Sequence, residues 1–375
     1  MTKKERLVRS LRGLPVDRPP VSFYELNGYS QNEHDTNPYN VFSDPSWKGL
    51  LALAKERSDK LVLYSPKLVT QNGINAERHS FVNERGSIYV TYQIKTPGRV
   101  LTKRTRRDMD IDTVWTYEHY LKDIEDVKAY LSLPEEEILG LDVSGFLECE
   151  KEIGDSGLVG IDTGDALCAA ADLFSMADYL VFASTERELF TELLEREQKK
   201  ALRRVQLISE ALPGRLYRIC GPEYASPPYL PPELFRRYVT RYDTEIIRLI
   251  HQSGGYARVH SHGNLSRILD DIAGMGADAL DPIEPPPQGD VSLRYVRERY
   301  GDRLTLFGNI EVSEIETMET SLFKDRVKQA LEEGMSGQGR GFVLMPTACP
   351  LSRKLSERTF YHYQIMMELV ENTYY

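Results

Sequence analysis

The sequence has 375 residues with a formal net charge of −10, and 41% of them are hydrophobic and 28% are charged. These proportions are those of a soluble globular protein and exclude a mainly disordered chain. The acidic balance, with a pI near 5.4, argues against a general nucleic-acid binder, because phosphate binding requires a basic surface. Residues 1–12 are rich in charge and no run approaches the roughly 18 apolar residues of a membrane span, so we expect a cytoplasmic protein without targeting signal or membrane contact.

The four cysteines are widely spaced and form no CxxC pair. This spacing fits neither a disulfide framework nor a zinc ribbon, and it predicts a reducing compartment. Cys149, Cys168 and Cys220 precede or interrupt helix and strand patterns, which is typical of small buried apolar residues. Cys349 differs because it follows a predicted strand, in a loop.

Apolar runs that end at Gly, Pro or a polar cluster, followed by helical periodicity, predict eight strands. In chain order these are residues 20–24, 61–64, 158–161, 216–220, 256–260, 279–281, 304–307 and 342–345. The later strands alternate with predicted helices over residues 232–252, 265–273, 292–300, 313–333 and 356–370. Eight strand–helix units in a chain of this length predict one α/β domain over residues 1–375, folded as a (β/α)8 TIM barrel.

The interval between the second and third predicted strands is too long for one helix. Residues 86–107 alternate in the manner of antiparallel strands, and residues 96–98 (TPG) provide a turn. We therefore expect a small β insertion over about residues 75–130. The basic run at residues 103–107 (KRTRR) lies in this insertion; a solvated sheet edge is the favoured interpretation, and docking of an acidic partner protein is the alternative.

Polar residues cluster after the predicted strands, where a barrel of this kind has its active site. They are Tyr24, Glu25, Asp162, Asp165, Glu223, His260, His262, Asp281, Glu284, Asn309, Glu311 and Cys349. Aromatic side chains near the same strand ends suit a flat apolar ligand. We predict that the substrate contacts Tyr24, Tyr29, Tyr224 and Asp162.

The sharpest local pattern is His260-Ser261-His262, because alternate residues of an extended chain point to the same side. Both imidazoles can then converge on one metal ion, with a thiolate from Cys349 and with Glu223 or water in the fourth place, as in a catalytic zinc site. The alternatives are a pair of histidines that bind backbone or substrate without metal, an inert loop thiol at Cys349, and a carboxylate at Glu223 that only starts a helix.

Five segments of the chain resemble the uroporphyrinogen decarboxylase-like superfamily. They are residues 11–21 (LRGLPVDRPPV), 254–256 (GGY), 260–263 (HSHG), 276–281 (GADALD) and 307–311 (FGNIE). The resemblance covers nearly the whole chain and implies a single (β/α)8 barrel, in agreement with the strand count. It implies one of two activities, which are decarboxylation of uroporphyrinogen III and cobamide-dependent methyl transfer.

The sequence departs from the decarboxylase branch at its substrate-binding segments. That branch carries an arginine-rich RQAGRY-like segment after the first strand and an aspartate after the second, where this chain has residues 25–29 (ELNGY) and 64–66 (YSP). Without the arginine clamp, substrate carboxylates would remain unpaired in an acidic protein. The methyltransferase branch uses a zinc motif HxC and a second downstream Cys. His260 and Cys349 match it, and His262 replaces the middle cysteine.

This replacement changes the charge of the implied zinc site. Two imidazoles and one thiolate leave zinc at +1, whereas one imidazole and two thiolates leave it neutral, and the more positive ion better stabilises a departing alkoxide or phenoxide. We therefore predict a zinc-dependent methyltransferase of the O-demethylase type, which moves a methyl group from a methoxylated small molecule to a corrinoid carried by a partner protein. A decarboxylase, and a noncatalytic barrel that only docks the corrinoid protein, are the alternatives. Glu223, Asp281 and Asn309 are the predicted catalytic residues, and a homodimer is compatible with the sequence.

Overall fold

The computed structural model of the protein describes residues 1–71, 73–337 and 341–373. Its strands are β1 (Lys60–Tyr64), β2 (Lys67–Gln71), β3 (Glu77–Val82), β4 (Ile88–Thr96), β5 (Arg99–Arg107), β6 (Val114–Glu118), β7 (Glu137–Asp142), β8 (Gly157–Gly164), β9 (Leu216–Cys220), β10 (Tyr256–Ser261), β11 (Ala279–Pro282), β12 (Thr305–Ile310) and β13 (Phe342–Pro346). Its α-helices are α1 (Lys3–Leu11), α2 (Lys48–Glu56), α3 (Ile124–Leu131), α4 (Ser144–Ile153), α5 (Ala166–Ala171), α6 (Met176–Thr185), α7 (Arg187–Ala211), α8 (Pro232–Phe235), α9 (Arg241–Gln252), α10 (Leu269–Gly274), α11 (Leu293–Tyr300), α12 (Val312–Thr317), α13 (Thr320–Met335) and α14 (Glu357–Glu371).

A parallel sheet organises the fold, with the strand order β1-β8-β9-β10-β11-β12-β13. Its later strands are buried over nearly their whole length, as expected for parallel strands that are covered on both faces. The register places His260 of β10 opposite Cys220 of β9 and Asp281 of β11. The predicted α/β class is therefore confirmed, with a parallel sheet of seven strands.

The predicted first strand, residues 20–24, is not a regular strand, and this prediction is wrong. Val21 forms a single bridge to Leu344 of β13, and its carbonyl accepts a hydrogen bond of 2.8 Å from the amide of Asp59, just before β1. Pro19 and Pro20 have no amide hydrogen, so the segment cannot donate a full ladder of hydrogen bonds. The segment thus contacts β13 on one side and the start of β1 on the other, but it does not form a regular strand between them.

The parallel sheet is curled. Tyr24 follows the segment that contacts β13 and β1, yet its hydroxyl lies 3.5 Å from Nε2 of His260 in β10, the middle strand. A flat sheet would keep these positions several strand spacings apart, at about 4.8 Å per strand. Side chains on the concave face of the sheet can therefore meet.

Most of the predicted helices are present, with changes at their ends. Ser292 and Ser356 cap α11 and α14, because each side chain accepts a hydrogen bond from a first-turn amide. Predicted helix 232–252 consists of α8, a π-helical turn and α9, and α10 is shorter than predicted. Predicted helix 313–333 is divided into α12 and α13, because Glu319 is extended and caps α13 with its side chain.

Two antiparallel sheets lie in the chain between β1 and β8. One has the order β3-β4-β5-β6, and the other pairs β2 with β7. The alternation over residues 86–107 predicted a hairpin here, and β4 pairs with β5 from Thr96 opposite Arg99 to Ile88 opposite Arg107. Gly98 in the turn has a φ of 83°, which glycine adopts without steric cost.

The four-stranded antiparallel sheet is attached near the carboxyl ends of the parallel strands. The amide of Asp112 donates a 2.8 Å hydrogen bond to the carbonyl of Leu351, in the loop after β13. Lys103 of β5 pairs with Asp172, which follows β8 and α5, at 2.8 Å. The sheet therefore flanks the side on which the parallel strands end.

The other end of the parallel sheet is apolar. Leu7 and Leu11 of α1 pack with side chains near the beginnings of the parallel strands, among them Leu61, Leu158 and Leu216. This cluster fills the concave face at the amino ends of the strands, so polar groups have space only toward the carboxyl ends. None of the helices in the described part of the chain combines the length and hydrophobicity needed to cross a lipid bilayer.

Candidate active site

Alternating residues of neighbouring strands form a polar cluster on the concave face of the parallel sheet. Arg218 lies opposite Arg258 in the register of β9 and β10, and Cys220 lies opposite His260 two positions later. On the other side of β10, Asp281 of β11 lies opposite His260. Because side chains at alternate strand positions point to the same face, these five side chains share it.

Asp281 is the fully buried centre of this cluster. Its Oδ2 lies 2.9 Å from Nδ1 of His260, and its Oδ1 lies 3.1 Å from Nε of Arg258. Burial alone would raise the pKa of Asp281, but the charges of Arg258 and His260 lower it to about 2. The carboxylate is therefore ionised over the whole physiological range.

Arg218 is the second buried cation of the cluster and has two acidic partners. Its guanidinium donates to Glu25 at 2.8 Å and to Asp162 at 2.9 Å. Its third contact is the hydroxyl of Tyr24 at 3.3 Å, and this hydroxyl also approaches His260. Tyr24 has a φ of 57°, uncommon for a residue other than glycine, and this backbone turn directs its ring to the cluster.

His262 lies at the outer edge of the cluster. Its Nδ1 is 2.7 Å from Glu284, whose other oxygen accepts a 2.7 Å hydrogen bond from the amide of Gly263. The ring centroids of His260 and His262 are 4.7 Å apart and the rings are nearly perpendicular. Burial lowers the pKa of His262, but Glu284 and Glu223 raise it by more, so the net shift is upward.

Glu311, directly after β12, is a buried carboxyl group without a cationic partner in the described residues. Its side chain is 5% exposed, Oε2 accepts a hydrogen bond of 3.1 Å from Thr347, and Oε1 has no partner. Burial and the nearby carboxylate of Glu284 raise the pKa of Glu311 to about 7. The charge of a protonated His262 would lower this pKa.

Residues 218–360 match the family model described as uroporphyrinogen decarboxylase (URO-D). This part of the chain is a URO-D family domain. The URO-D domain spans β9 to β13 and thus contains Arg218, His260, Asp281 and Glu311. The superfamily resemblance predicted from the sequence is confirmed by this match. Among curated proteins there is no match to the chain.

One solved structure shares the fold of this chain over nearly its whole length. A methyltransferase from Methanosarcina mazei aligns over 98% of this chain and 99% of its own, with 17% identity and a TM-score of 0.59. Two others align over smaller parts. A D-psicose 3-epimerase aligns over 56% of this chain and 80% of its own (8% identity, TM-score 0.31). A Bacillus subtilis mannanase aligns over 60% and 72%, respectively (12% identity, TM-score 0.34).

The URO-D domain does not assemble the predicted zinc ligands. In residues 1–71, 73–337 and 341–373, no group of three or more His, Cys, Asp or Glu side chains is arranged to hold a metal ion. The two imidazoles are adjacent, but Cys349 lies beside Glu25, and burial and that carboxylate raise the pKa of its thiol to about 12. The set of His260, His262, Cys349 and Glu223 therefore does not fit a closed metal site in this conformation.

Other predicted residues have different environments. Asp162 and Tyr24 belong to the cluster through Arg218. Tyr224, in the loop after β9, packs on Tyr179 with centroids 6.1 Å apart and lies near Glu223. Glu223 itself accepts a 3.0 Å hydrogen bond from the amide of Gly221, and its charge contributes to the raised pKa of His262.

Two predicted site residues, Asn309 and Tyr29, do not contribute their side chains to the cluster. The amide nitrogen of Asn309 donates to the carbonyl of Ile283, and its amide oxygen accepts from Arg326, so the side chain connects backbone segments. Tyr29 lines a cavity of about 700 Å³ between α2 and α4, with Lys55 and Glu152 among its other walls. Asn309 therefore has a structural role, and Tyr29 lies at the periphery of the protein, away from the cluster.

Sequence reasoning missed the two arginines and Cys220 as members of the cluster. A signal was present, since Arg258 and Arg218 stand two positions before His260 and Cys220 and therefore point the same way. The Sγ of Cys220 lies 3.9 Å from Asp162. Counting back two positions from His260 along the same strand reaches Arg258, whose side chain must point to the same face as the imidazole.

Proposed function

We propose that the protein is a methyltransferase that moves a methyl group from a methoxylated small molecule to the cobalt of a corrinoid carried by a partner protein. The URO-D domain supports membership of the superfamily, and the likeness to a methyltransferase supports a shared fold. The proposal treats residues 1–375 as one (β/α)8 barrel with the antiparallel sheets as an insertion, in the cytoplasm. Residues 20–24 would occupy the eighth strand position.

The observation that carries the proposal is that both buried arginines of the cluster already have acidic partners. Arg218 pairs with Glu25 and Asp162, and Arg258 lies beside Asp281. Decarboxylation of a tetrapyrrole with many carboxylates requires cationic groups that are free to bind them. Because each arginine already has an acidic partner, methyl transfer from a donor with few charges is favoured over the alternative, decarboxylation.

The side chains of the cluster can orient a donor and supply a proton. The carboxylate of Asp281 only accepts hydrogen bonds, so Nδ1 of His260 carries the proton and its ring is held in one orientation. We assign substrate contacts to Tyr24, Tyr224 and Asp162, and proton donation to the leaving oxygen to Glu223. When its carrier protein is docked, the corrinoid supplies the acceptor for the methyl group.

Zinc is the other cofactor that the superfamily resemblance implies. The zinc content of the protein can be measured independently of methyl transfer. The residue roles assigned to Tyr24, Tyr224, Asp162 and Glu223 do not require zinc. The predicted zinc ligands are not brought together in the described residues. Elemental analysis of protein purified without chelators provides the measurement. About one zinc per chain would support a metal site that forms by rearrangement around His260 and His262. Metal-free protein that takes up no added zinc would remove zinc from the proposal.

The proposed activity is tested with cob(I)alamin and a panel of methoxylated aromatic and aliphatic donors. We expect methylcobalamin to appear in the absorption spectrum with at least one donor, and no coproporphyrinogen to form from uroporphyrinogen. Glu223→Gln should lower the rate by about 10²–10⁴-fold. Glu84→Gln, the same change at an exposed position in the turn between β3 and β4, is the matched control.

Three outcomes would contradict parts of this proposal. Formation of coproporphyrinogen would establish the decarboxylase alternative. Full activity of Glu223→Gln would remove the proton-donor assignment and leave methyl transfer intact. Binding of a corrinoid protein without turnover of any donor would indicate a noncatalytic docking barrel.

A further inference from the structure

We propose that the methyl donor carries a positively charged group and that the site discriminates against donors with a carboxylate. This inference rests on the proposed function and adds the charge class of its substrate. It starts from an imbalance between the acidic and basic side chains at the carboxyl ends of β9 to β12.

Each of the two arginines of the site already has an acidic partner. Arg218 lies 2.8 Å from Glu25 and 2.9 Å from Asp162, and Arg258 lies 3.1 Å from Asp281. The guanidinium of Arg258 is fully buried below His260, so a ligand at the mouth meets the imidazoles and carboxylates first. An incoming carboxylate would have to displace an existing acidic partner to form an ion pair.

The acidic side chains of the site, in contrast, exceed their cationic partners. Glu284 is bound to His262 and to the amide of Gly263. Neither Glu223 nor Glu311 forms an ion pair with any residue that the structure describes. Glu223 accepts a hydrogen bond from the amide of Gly221, and Oε2 of Glu311 accepts one from Thr347. Both carboxyl groups lie near enough to His262 to interact with its charge.

The strongest indication of a ligand comes from the unpaired carboxylate oxygen of Glu311. It is 5% exposed, and its Oε1 is buried with no hydrogen-bond partner, although buried carboxylate oxygens are nearly always satisfied. A group with a positive charge and N–H donors would satisfy this oxygen, whereas a carboxylate at the same place would meet both Glu311 and the nearby carboxylate of Glu284. The geometry thus favours an ammonium-bearing donor over a carboxylate-bearing one.

The test compares three donors that share one methoxyphenol ring and differ in the charge of the side chain. They are 3-methoxytyramine, homovanillyl alcohol and homovanillate, which are cationic, neutral and anionic at neutral pH. Their Kd values for the purified protein are measured by isothermal titration calorimetry without corrinoid, so the measurement does not depend on turnover. We expect the cation to bind at least about tenfold more tightly than the anion, with the neutral alcohol between them.

Two variants assign the discrimination to the named carboxyl group. Glu311→Gln keeps the shape of the side chain and should reduce the ratio of the anion Kd to the cation Kd several-fold, with an unchanged circular dichroism spectrum. Glu84→Gln removes the same charge at an exposed, distant position and should leave the ratio unchanged. If Glu311→Gln fails to fold, the order of the three wild-type Kd values still decides the question.

The inference is overturned if homovanillate binds as tightly as 3-methoxytyramine, if none of the three binds, or if Glu311→Gln leaves the discrimination intact. Failure of the proposed function gives a different result. In that case the cation still binds most tightly, yet no donor of any charge methylates cob(I)alamin.

Discussion

Asp281 and His260 lie opposite each other on adjacent strands, and the buried carboxylate contacts Nδ1 of the imidazole at 2.9 Å. The second oxygen of the same carboxylate lies 3.1 Å from Nε of Arg258. One acidic side chain therefore fixes the histidine ring and balances the charge of a buried guanidinium. Loss of its charge should affect folding as well as chemistry.

Asp281→Asn is expected to destabilise the protein by about 3–5 kcal/mol, because it leaves the guanidinium of Arg258 buried without a counter-charge. Urea denaturation followed by circular dichroism measures the loss. The double variant Arg258→Met with Asp281→Asn removes both charges and should recover a large part of it. A loss below about 1 kcal/mol for Asp281→Asn would show that the pair contributes little to folding.

The pKa of Glu311 predicts a pH-dependent effect of Glu311→Gln on stability. Burial raises this pKa from 4.5 to about 7 in the folded protein. The folded state therefore keeps a proton that the unfolded state releases, and the wild type loses stability as the pH rises from 4.5 to about 7. Glutamine has no such loss, so the free energy of unfolding of the variant minus that of the wild type should rise across this window and be constant outside it.

Urea denaturation at a series of pH values measures this difference. Glu84→Gln replaces an exposed glutamate and should show no comparable rise. A flat difference for Glu311→Gln would mean that the carboxyl group is solvated and ionises normally.

The turn between β4 and β5 allows a matched pair of glycine substitutions. Gly98 has a φ of 83° and Gly274 at the end of α10 has an ordinary φ, and neither position has a heavy atom within 4 Å of an added Cβ. Gly98→Ala is therefore expected to cost about 1 kcal/mol through backbone strain alone. Gly274→Ala should be neutral or slightly stabilising, because it reduces the entropy of the unfolded chain. Equal effects in thermal denaturation would argue against a strained turn.

Cys349 is expected to react slowly with thiol reagents. Burial and Glu25 raise the pKa of this thiol to about 12, so little of it is thiolate at pH 8. Iodoacetamide labelling followed by mass spectrometry should show modification of Cys349 at least about a hundredfold slower than in urea-unfolded protein. Rapid labelling of the folded protein would indicate an accessible thiolate and would restore Cys349 as a candidate metal ligand.

Local patterns predicted the parallel strands and the position of the site. Apolar runs bounded by turn residues identify buried strands, because such strands are covered on both faces. The HSH pattern placed His260 and His262 on one side of β10, and the fold brings Asp281 beside the first of them. These relationships depend only on strand periodicity and on neighbouring strands being close in sequence order.

The remaining errors concern features that local patterns do not encode. Residues 20–24 are as apolar as a strand, but two prolines and the distant partner Leu344 determine their pairing. The direction of a loop side chain depends on the whole path of the loop, which is why Tyr29 lies in a peripheral cavity and Cys349 lies apart from the imidazoles. Asn309 follows a strand as predicted, but Arg326 and Ile283 occupy its amide.

The bridge between Val21 and Leu344 has a consequence for the order in which the protein is made. It joins a segment near the start of the chain to the last parallel strand, so the ribosome must have synthesised β13 before that segment has both of its partners, Asp59 and Leu344. Tyr24 and Glu25 follow directly after Val21, and Arg218 acquires these neighbours only when the segment is in place. A nascent chain that stops before β13 can thus hold most of the parallel strands and still present Arg218 paired with Asp162 but not with Glu25.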